Sequence, residues 1–509
     1  MIMARNEDGT YSQVGFIKDN VGIDIGYIYD KDGDIVFEKG FTREISGTVP
    51  LTINGIEKDL KDWSITGNTV QNGTPTPDTP QEVKAVGKGT GNLFNKNTIT
   101  ADSFATVSGT IANKDYYCSD FIPITATTYY FQNAVGSSYQ NAVIVYDANK
   151  QGLRYANLPG SDKVSGAITF QSGDAYIRIN CYYQTDVDTV MVNIGSTALS
   201  YEPYGYKIPV VTRGNNLLGN YELFSGYYYD SSGTPSDANN CFIRCSPINV
   251  KAETNYAISS NLRFLSIWKF KNDQAIEKIP IDNKNVFVFN TGTDCNRIRI
   301  SLNNTSGKAD TSAFEWIQLE EGTTATPYEP YHEPITTPIY LDSPLYKIGD
   351  YADRLSKTEE VRIVKELVLT GTDVDGNWVA SSTRKGSFYF YLKIGANAVE
   401  GRAICDRATN ANNINNYYYG NVFVEQTKDF LMAINLWLFN TAITLAGFKA
   451  YLTAQYAAGT PVKVYYVMKT PETKTVEPVE IPTLNSTTVI DVDTAVKPTE
   501  MYTKYKSSK

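Results

Sequence analysis

The chain has 509 residues, 42 % of them apolar, and carries 55 acidic against 46 basic side chains for a net charge of −9. That is enough for three or four domains with packed cores, and too apolar for wholesale disorder. Its basic residues are scattered and outnumbered, which argues against nucleic-acid binding and against adhesion to an anionic membrane, both of which need clustered Lys and Arg.

The start, Met1 to Asp8, lacks the apolar core of a signal peptide, and no run approaches the ~18 apolar residues that a bilayer-crossing helix needs. The first structural signal is a hairpin. Tyr27–Asp30 and Ile35–Glu38 flank Lys31-Asp32-Gly33-Asp34, whose Asp-Gly pair suits a tight turn. The alternating carboxylates there do not make a calcium loop of the EF-hand kind, which would need Gly in place of Ile35 and Glu in place of Phe41. No cofactor is expected, although sandwich loops can hold a calcium through backbone carbonyls. Pro75, Pro77 and Pro80 then stiffen the chain into what reads as a semi-rigid spacer.

Beyond the spacer the chain repeats itself. Asn92-Leu93-Phe94 matches Asn216-Leu217-Leu218, a shift of 216 − 92 = 124 residues, and Pro123 to Pro247 and Tyr146 to Phe270 give 124 again. Tyr176-Ile177-Arg178-Ile179 matches Arg297-Ile298-Arg299-Ile300 at 121, and Tyr201-Glu202-Pro203-Tyr204 recurs as Tyr328-Glu329-Pro330-Tyr331 at 127. Five landmarks in one order mark a duplication. Each copy alternates apolar and polar residues over short segments separated by Gly, Asn, Asp and Pro, the pattern of antiparallel strands in a sandwich. Alternation puts Ile177, Ile179, Ile298 and Ile300 in the two cores and Arg178 and Arg299 on the opposite face. The two Tyr-Glu-Pro-Tyr motifs are expected to close each module with Tyr201 and Tyr328 mostly buried.

A third strand-rich unit follows a connector. In it Leu445, Phe448, Leu452 and Tyr456 fall at helical spacing, with Thr444 placed to cap the start and Gly459 to end it, so one short amphipathic helix is predicted. The reading is an all-β chain of tandem jelly-roll sandwich modules, with a small β-rich N-terminal domain and a C-terminal sandwich carrying that helix. Its divisions are an attachment domain at 1–66, a linker at 67–90, modules at 91–209 and 210–335, a connector at 336–365, the C-terminal sandwich at 366–475 and an extension at 476–509.

Catalytic chemistry finds little support. His332 is the one histidine in the chain, which leaves nucleophile triads and histidine-based zinc sites without parts. The six cysteines show no paired pattern and read as free, buried thiols. Glu202, Glu329, Glu320 and Glu321 are the candidates for a glycosidase carboxylate pair, but the motif glutamates sit where a structural role is simpler. No enzyme activity is expected. Tyrosine, by contrast, is abundant at 37 residues. Its ring stacks on sugars and its hydroxyl meets their polar edges. Tyr116, Tyr117, Tyr182, Tyr183, Tyr227, Tyr228, Tyr229 and Trp268 are the candidate ligand contacts, with Trp268 sharing a strand face with Phe270.

With these landmarks in place, the chain resembles tail, baseplate and fibre proteins of phages and prophages of Gram-positive bacteria. The resemblance is carried by Ile65-Thr66-Gly67-Asn68-Thr69-Val70-Gln71-Asn72-Gly73-Thr74-Pro75-Thr76-Pro77, by Gly91-Asn92-Leu93-Phe94-Asn95, by the repeated Tyr-Glu-Pro-Tyr, and by the run Tyr340–Asp353. It implies jelly-roll carbohydrate-binding modules displayed on a virion and facing cell-wall or capsular polysaccharide, made in the host cytoplasm without a signal peptide. It also implies contacts to other virion proteins through the N-terminal region and a homo-oligomer, fibres of this kind being usually trimeric. The competing expectations are a purely structural fibre, baseplate or decoration protein and a polysaccharide-trimming enzyme.

Overall fold

Tyr-Ile-Arg-Ile-Asn-Cys at Tyr176–Cys181 and Arg-Ile-Arg-Ile-Ser-Leu-Asn at Arg297–Asn303 set the pattern of both modules: every second residue is an aliphatic that must leave water. In the computed structural model Ile177, Ile179, Ile298 and Ile300 are all buried in inter-sheet cores. Burial of such side chains stabilises by about 1.5–3 kcal/mol each. The structure describes residues 2–5, 11–15, 28–29, 35–37, 42–54, 60–135, 143–156, 158, 163–182, 187–219, 223–230, 234–244, 247–279, 281, 284–303, 314–372, 378–384, 387–395, 397–410, 421–426, 432–437, 444–484 and 486–506. It is an all-β protein with one α-helix among those residues.

The two copies have the same topology. In the first, a six-stranded sheet runs Thr100–Thr106, Gly109–Cys118, Tyr176–Cys181, Val143–Tyr146, Gly152–Tyr155, with Ile122–Pro123 also on the central strand. A three-stranded sheet of Lys163–Thr169, Thr128–Val135 and Met191–Ile194 packs over it. In the second, Leu223–Tyr229, Pro235–Arg244, Arg297–Asn303, Arg263–Lys271, Gln274–Ile279 and Ile248–Asn249 take the same places, under Val286–Asn290, Asn255–Ser260 and Ile317–Glu321.

Each copy is closed by one buried asparagine. Asn92 donates from Nδ2 to the carbonyls of Val190 (3.2 Å) and Glu202 (3.0 Å), and its Oδ1 accepts from the amides of Phe94 (2.9 Å) and Val192 (3.1 Å). Asn216 does the same with Ile317 (3.2 Å), Glu329 (3.1 Å), Leu218 (3.0 Å) and Leu319 (3.3 Å). The amide thus ties the entry of the module to its last strand and to the Tyr-Glu-Pro-Tyr exit. The glutamate backbones of that motif are held, whereas its tyrosines are not buried: Tyr201 is 45 % and Tyr328 41 % exposed. The first donates to the Asp188 carbonyl at 2.6 Å, and the second stacks on Trp316 at 5.0 Å.

The modules are insertions in a third sandwich, the framework. The strand Tyr206–Arg213, between the two copies, pairs with Ile335–Leu341 on one edge and with Lys88–Gly89 and Thr487–Val492 on the other. Leu51–Asn54 extends that sheet. The facing seven-stranded sheet runs Ala403–Cys405, Val462–Thr475, Glu359–Leu369, Arg354–Ser356, Asp62–Thr66, Glu500–Lys506, Thr42–Gly47. Trp63, Ile65, Leu355 and Met501 of one sheet meet Ile53, Ile208, Ile339 and Ile490 of the other in one core. Segments read from sequence as attachment domain, linker, connector and extension therefore share strands and a core. The proline-rich stretch is docked, with Pro75 and Pro77 buried and the Pro77 carbonyl accepting from Arg407 at 2.8 Å. In the connector, buried Asp353 accepts from the amides of Tyr346, Ile363 and Val364 at 2.8–2.9 Å and pairs with Arg362.

The C-terminal unit adds a five-stranded sheet, Trp378–Arg384, Ser387–Gly395, Met432–Trp437, Asn421–Gln426, Thr409–Asn410. The helix Leu445–Ala457 packs into its core through Phe448 and Leu452, Thr444 Oγ1 accepts from the Gly447 amide, and Gly459 leaves the helix at φ +74°. Near the N-terminus the predicted hairpin pairs Ile28–Tyr29 with Ile35–Phe37; its turn lies outside the described residues.

Two substitutions test these roles. Asn92→Ala strands two amides and two carbonyls, so hydrogen exchange of the first module should report a loss of about 3 kcal/mol. Tyr328→Ala removes one half-exposed stacking partner and should cost about 1 kcal/mol by thermal melting, against about 3 kcal/mol for a fully buried ring.

Candidate functional site

The predicted aromatic contacts divide into separate groups. Tyr116 and Tyr182 are half-buried and meet edge to face at 4.8 Å, with Phe104 4.9 Å from Tyr116. Tyr117 and Tyr182 also pack against the first module's core. Tyr183 lies outside the described residues. Tyr227 is 39 % exposed and Tyr228 half-buried, whereas Tyr229 and Trp268 are buried at 1 % and 7 %. Trp268, Phe270 and Tyr229 form their own cluster, on the face of the six-stranded sheet away from the main core. Period-two alternation on Leu223–Tyr229 places Tyr227 on that same outer face.

The outer faces of the two large sheets share one device, an arginine on the central strand enclosed by aromatic rings. Arg178 donates to the Ser119 carbonyl (2.8 Å) and to Thr110 Oγ1 (2.6 Å), and lies 5.1 Å from the Phe121 ring centre. Phe121 is edge-on to Tyr146 and Tyr176, and Lys150 Nζ stands 4.7 Å from the Phe121 ring. Arg299 lies 4.6 Å from Phe270 and 5.5 Å from Tyr229. The rings hold a cation that would be costly to bury bare. The next outward residue after each arginine fastens the edge strand: Asn180 Oδ1 accepts from the Ala105 amide at 2.8 Å and Ser301 Oγ from the Tyr229 amide at 2.9 Å.

The faces differ in how well they are satisfied. Tyr146 donates to the Thr106 carbonyl at 3.1 Å, and burial pushes its phenol above the usual range, as it pushes the neighbouring Cys118 thiol up to about 11. In the second module Trp268 Nε1 is buried with no acceptor among the described residues. Cys118, Cys181, Cys295 and Cys405 are buried free thiols. His332 sits at the second module's exit, its Nε2 3.3 Å from Ser486 Oγ.

A groove of about 590 Å³ lies between the framework and the C-terminal unit, walled by residues 80–85, Gly87, Gly89, Tyr206, Pro344, Asp406, Arg407, residues 459–461 and Lys463. Tyr346 and Tyr465 line it also, with ring centres 4.9 Å apart, and Tyr346 donates to Glu366 Oε2 at 3.1 Å. Burial holds the phenols of Tyr206, Tyr346 and Tyr465 above their ordinary range, so they are neutral hydrogen-bonding groups. Its walls are tied across the chain: the Gln81 amide donates to the Asp406 carbonyl at 2.7 Å, and Arg407 bonds Gln455 (3.0 Å) and the Thr460 carbonyl (2.8 Å). No local motif announces this groove, because its residues come from distant segments. Among the described residues no three His, Cys, Asp or Glu side chains gather as a metal site, and no helix is long and apolar enough to cross a membrane.

Compared with protein-family models, curated proteins and solved structures, the chain matches none. Trp268→Phe leaves a smaller aromatic ring in place, so that lost packing offsets the gain from removing the buried N–H that has no acceptor. It should leave stability within about 1 kcal/mol of the parent or raise it, read by chemical denaturation.

Proposed function

We propose that this chain is a virion tail or fibre protein that binds bacterial surface polysaccharide. The observation that carries the binding half is the duplication in three dimensions: two sandwiches of one topology, each with an arginine ringed by aromatics on the outer face of its larger sheet. The first module offers half-buried Phe121 and Tyr176 beside Lys150, and the second offers Tyr227. Flat rings beside hydrogen-bond donors suit the apolar faces and hydroxyl edges of sugars. The virion half rests on the sequence resemblance.

Two weak sites held in one chain gain avidity without any new contact, which is a physical reason for the duplication. Affinity per module should be millimolar to high micromolar, about 4–6 kcal/mol, and only weakly dependent on salt. The test is retention of the full-length protein on purified Gram-positive cell walls before and after periodate oxidation, which cleaves sugar vicinal diols. The expected result is retention that oxidation abolishes. Equal retention on oxidised walls, or none on either, refutes the glycan reading.

A further inference from the structure

We propose that the groove between the framework and the C-terminal unit is a third ligand site, one that takes a segment of a neutral oligosaccharide. The proposal rests on the glycan-binding reading above but assigns a site that the duplication does not account for. At about 590 Å³ the groove falls within the range of small-ligand sites, roughly 300–1,000 Å³. Tyr206 is half-buried at its wall, and Pro80 and Pro461 add flat apolar surface. Gln81, Glu82, Lys84 and Asp406 set polar groups between them.

Charge selects the ligand class. Lys463 is matched by Glu366 at 2.8 Å and Lys84 by Glu82 at 3.6 Å. Arg407 is committed to Pro77, Gln455 and Thr460. Glu82 is the partner of Lys84, and Asp406 Oδ1 accepts from the Lys463 amide at 3.0 Å, so an anionic or a cationic polymer meets lining charges that already have partners. A neutral chain rich in hydroxyls meets alternating donors, acceptors and ring faces without a desolvated charge. The site is also pre-organised: its floor is the packed Tyr346–Tyr465 pair, and its walls are joined by the Gln81–Asp406 and Arg407–Pro77 bonds. Little ordering is left to offset on binding.

Gly89 supplies a clean test. It lines the groove, is exposed, pairs with Tyr206, and a Cβ built on it meets nothing within 4 Å. Gly89→Trp should fill the groove without straining the framework, and Gly89→Ala is the control. Full-length parent and variants are applied to a microarray of neutral hexasaccharides and purified bacterial surface polysaccharides, with thermal melting as the check on folding. The expected result is binding to neutral glycans that Gly89→Ala keeps and Gly89→Trp reduces at least tenfold. Should Gly89→Trp melt early, the double variant Glu82→Ala/Lys84→Ala, both exposed, replaces it with a severalfold loss expected. Undiminished binding in the folded groove variant overturns this site while the glycan reading stands. Binding confined to acidic glycans overturns the neutral class, and an array on which the parent binds nothing overturns both.

Discussion

The strand Tyr206–Arg213 must satisfy hydrogen bonds on both edges, and the chain meets that requirement only by returning to it three times. Lys88–Gly89 arrives before the first module, Ile335–Leu341 after the second, and Thr487–Val492 near the C-terminus. Pro209 and Pro338 sit directly opposite each other in this ladder. Neither has an N–H, so the pair occupies a non-hydrogen-bonded position. There Pro209 points into the gap between its two partners on the other edge, where its carbonyl accepts from Asp493 at 2.9 Å. Pro338 turns its missing donor to the other edge of its strand, which has no partner strand among the described residues, and blunts that edge against further pairing.

This framework explains why so many repeated residues are structural. Asn92 and Asn216 keep each insertion closed at its neck, where entry and exit strands would otherwise splay. The second exit is fastened to the framework as well: Glu329 accepts from Thr487 Oγ1 at 2.6 Å. Buried Glu320 takes Thr326 and Gln318 on the same side, so the exit segment lies over the outer face of the small sheet. Val286 and Val288, on the third strand of that sheet, stay exposed beside it. The arginines of the large sheets lie against aromatic rings, Arg178 beside Phe121 and Arg299 beside Phe270 and Tyr229.

The groove depends on the same closure. Its walls come from both sides of the first module and from the C-terminal unit, so it exists only once the framework has assembled. The modules are repeated and outward, and the groove is single and inward. A polymer could engage both kinds of site at once, and each would then raise the effective concentration at the other.

Much of the fold was legible in the chain because its signals are local. Alternation in Tyr176–Cys181 and Arg297–Asn303 divides core from face with period two. Thr444, Phe448, Leu452 and Gly459 mark a helix within one stretch, and the spacing of Asn92 and Asn216 exposes the duplication. The tyrosines of Tyr-Glu-Pro-Tyr misled, since the motif recurs for its backbone and glutamate contacts while its rings stay half-exposed. The proline-rich stretch misled too: its stiffness is local, but its docking depends on Arg407, 330 residues away. Trp268 shows the limit for candidate sites, because alternation pairs it with Phe270 but does not say which face is covered. Partners across a sheet, the covering of an outer face and the walls of a groove are set by residues hundreds of positions apart. They are decided by which edges must be paired and which apolar faces must leave water, and only the folded chain settles those together.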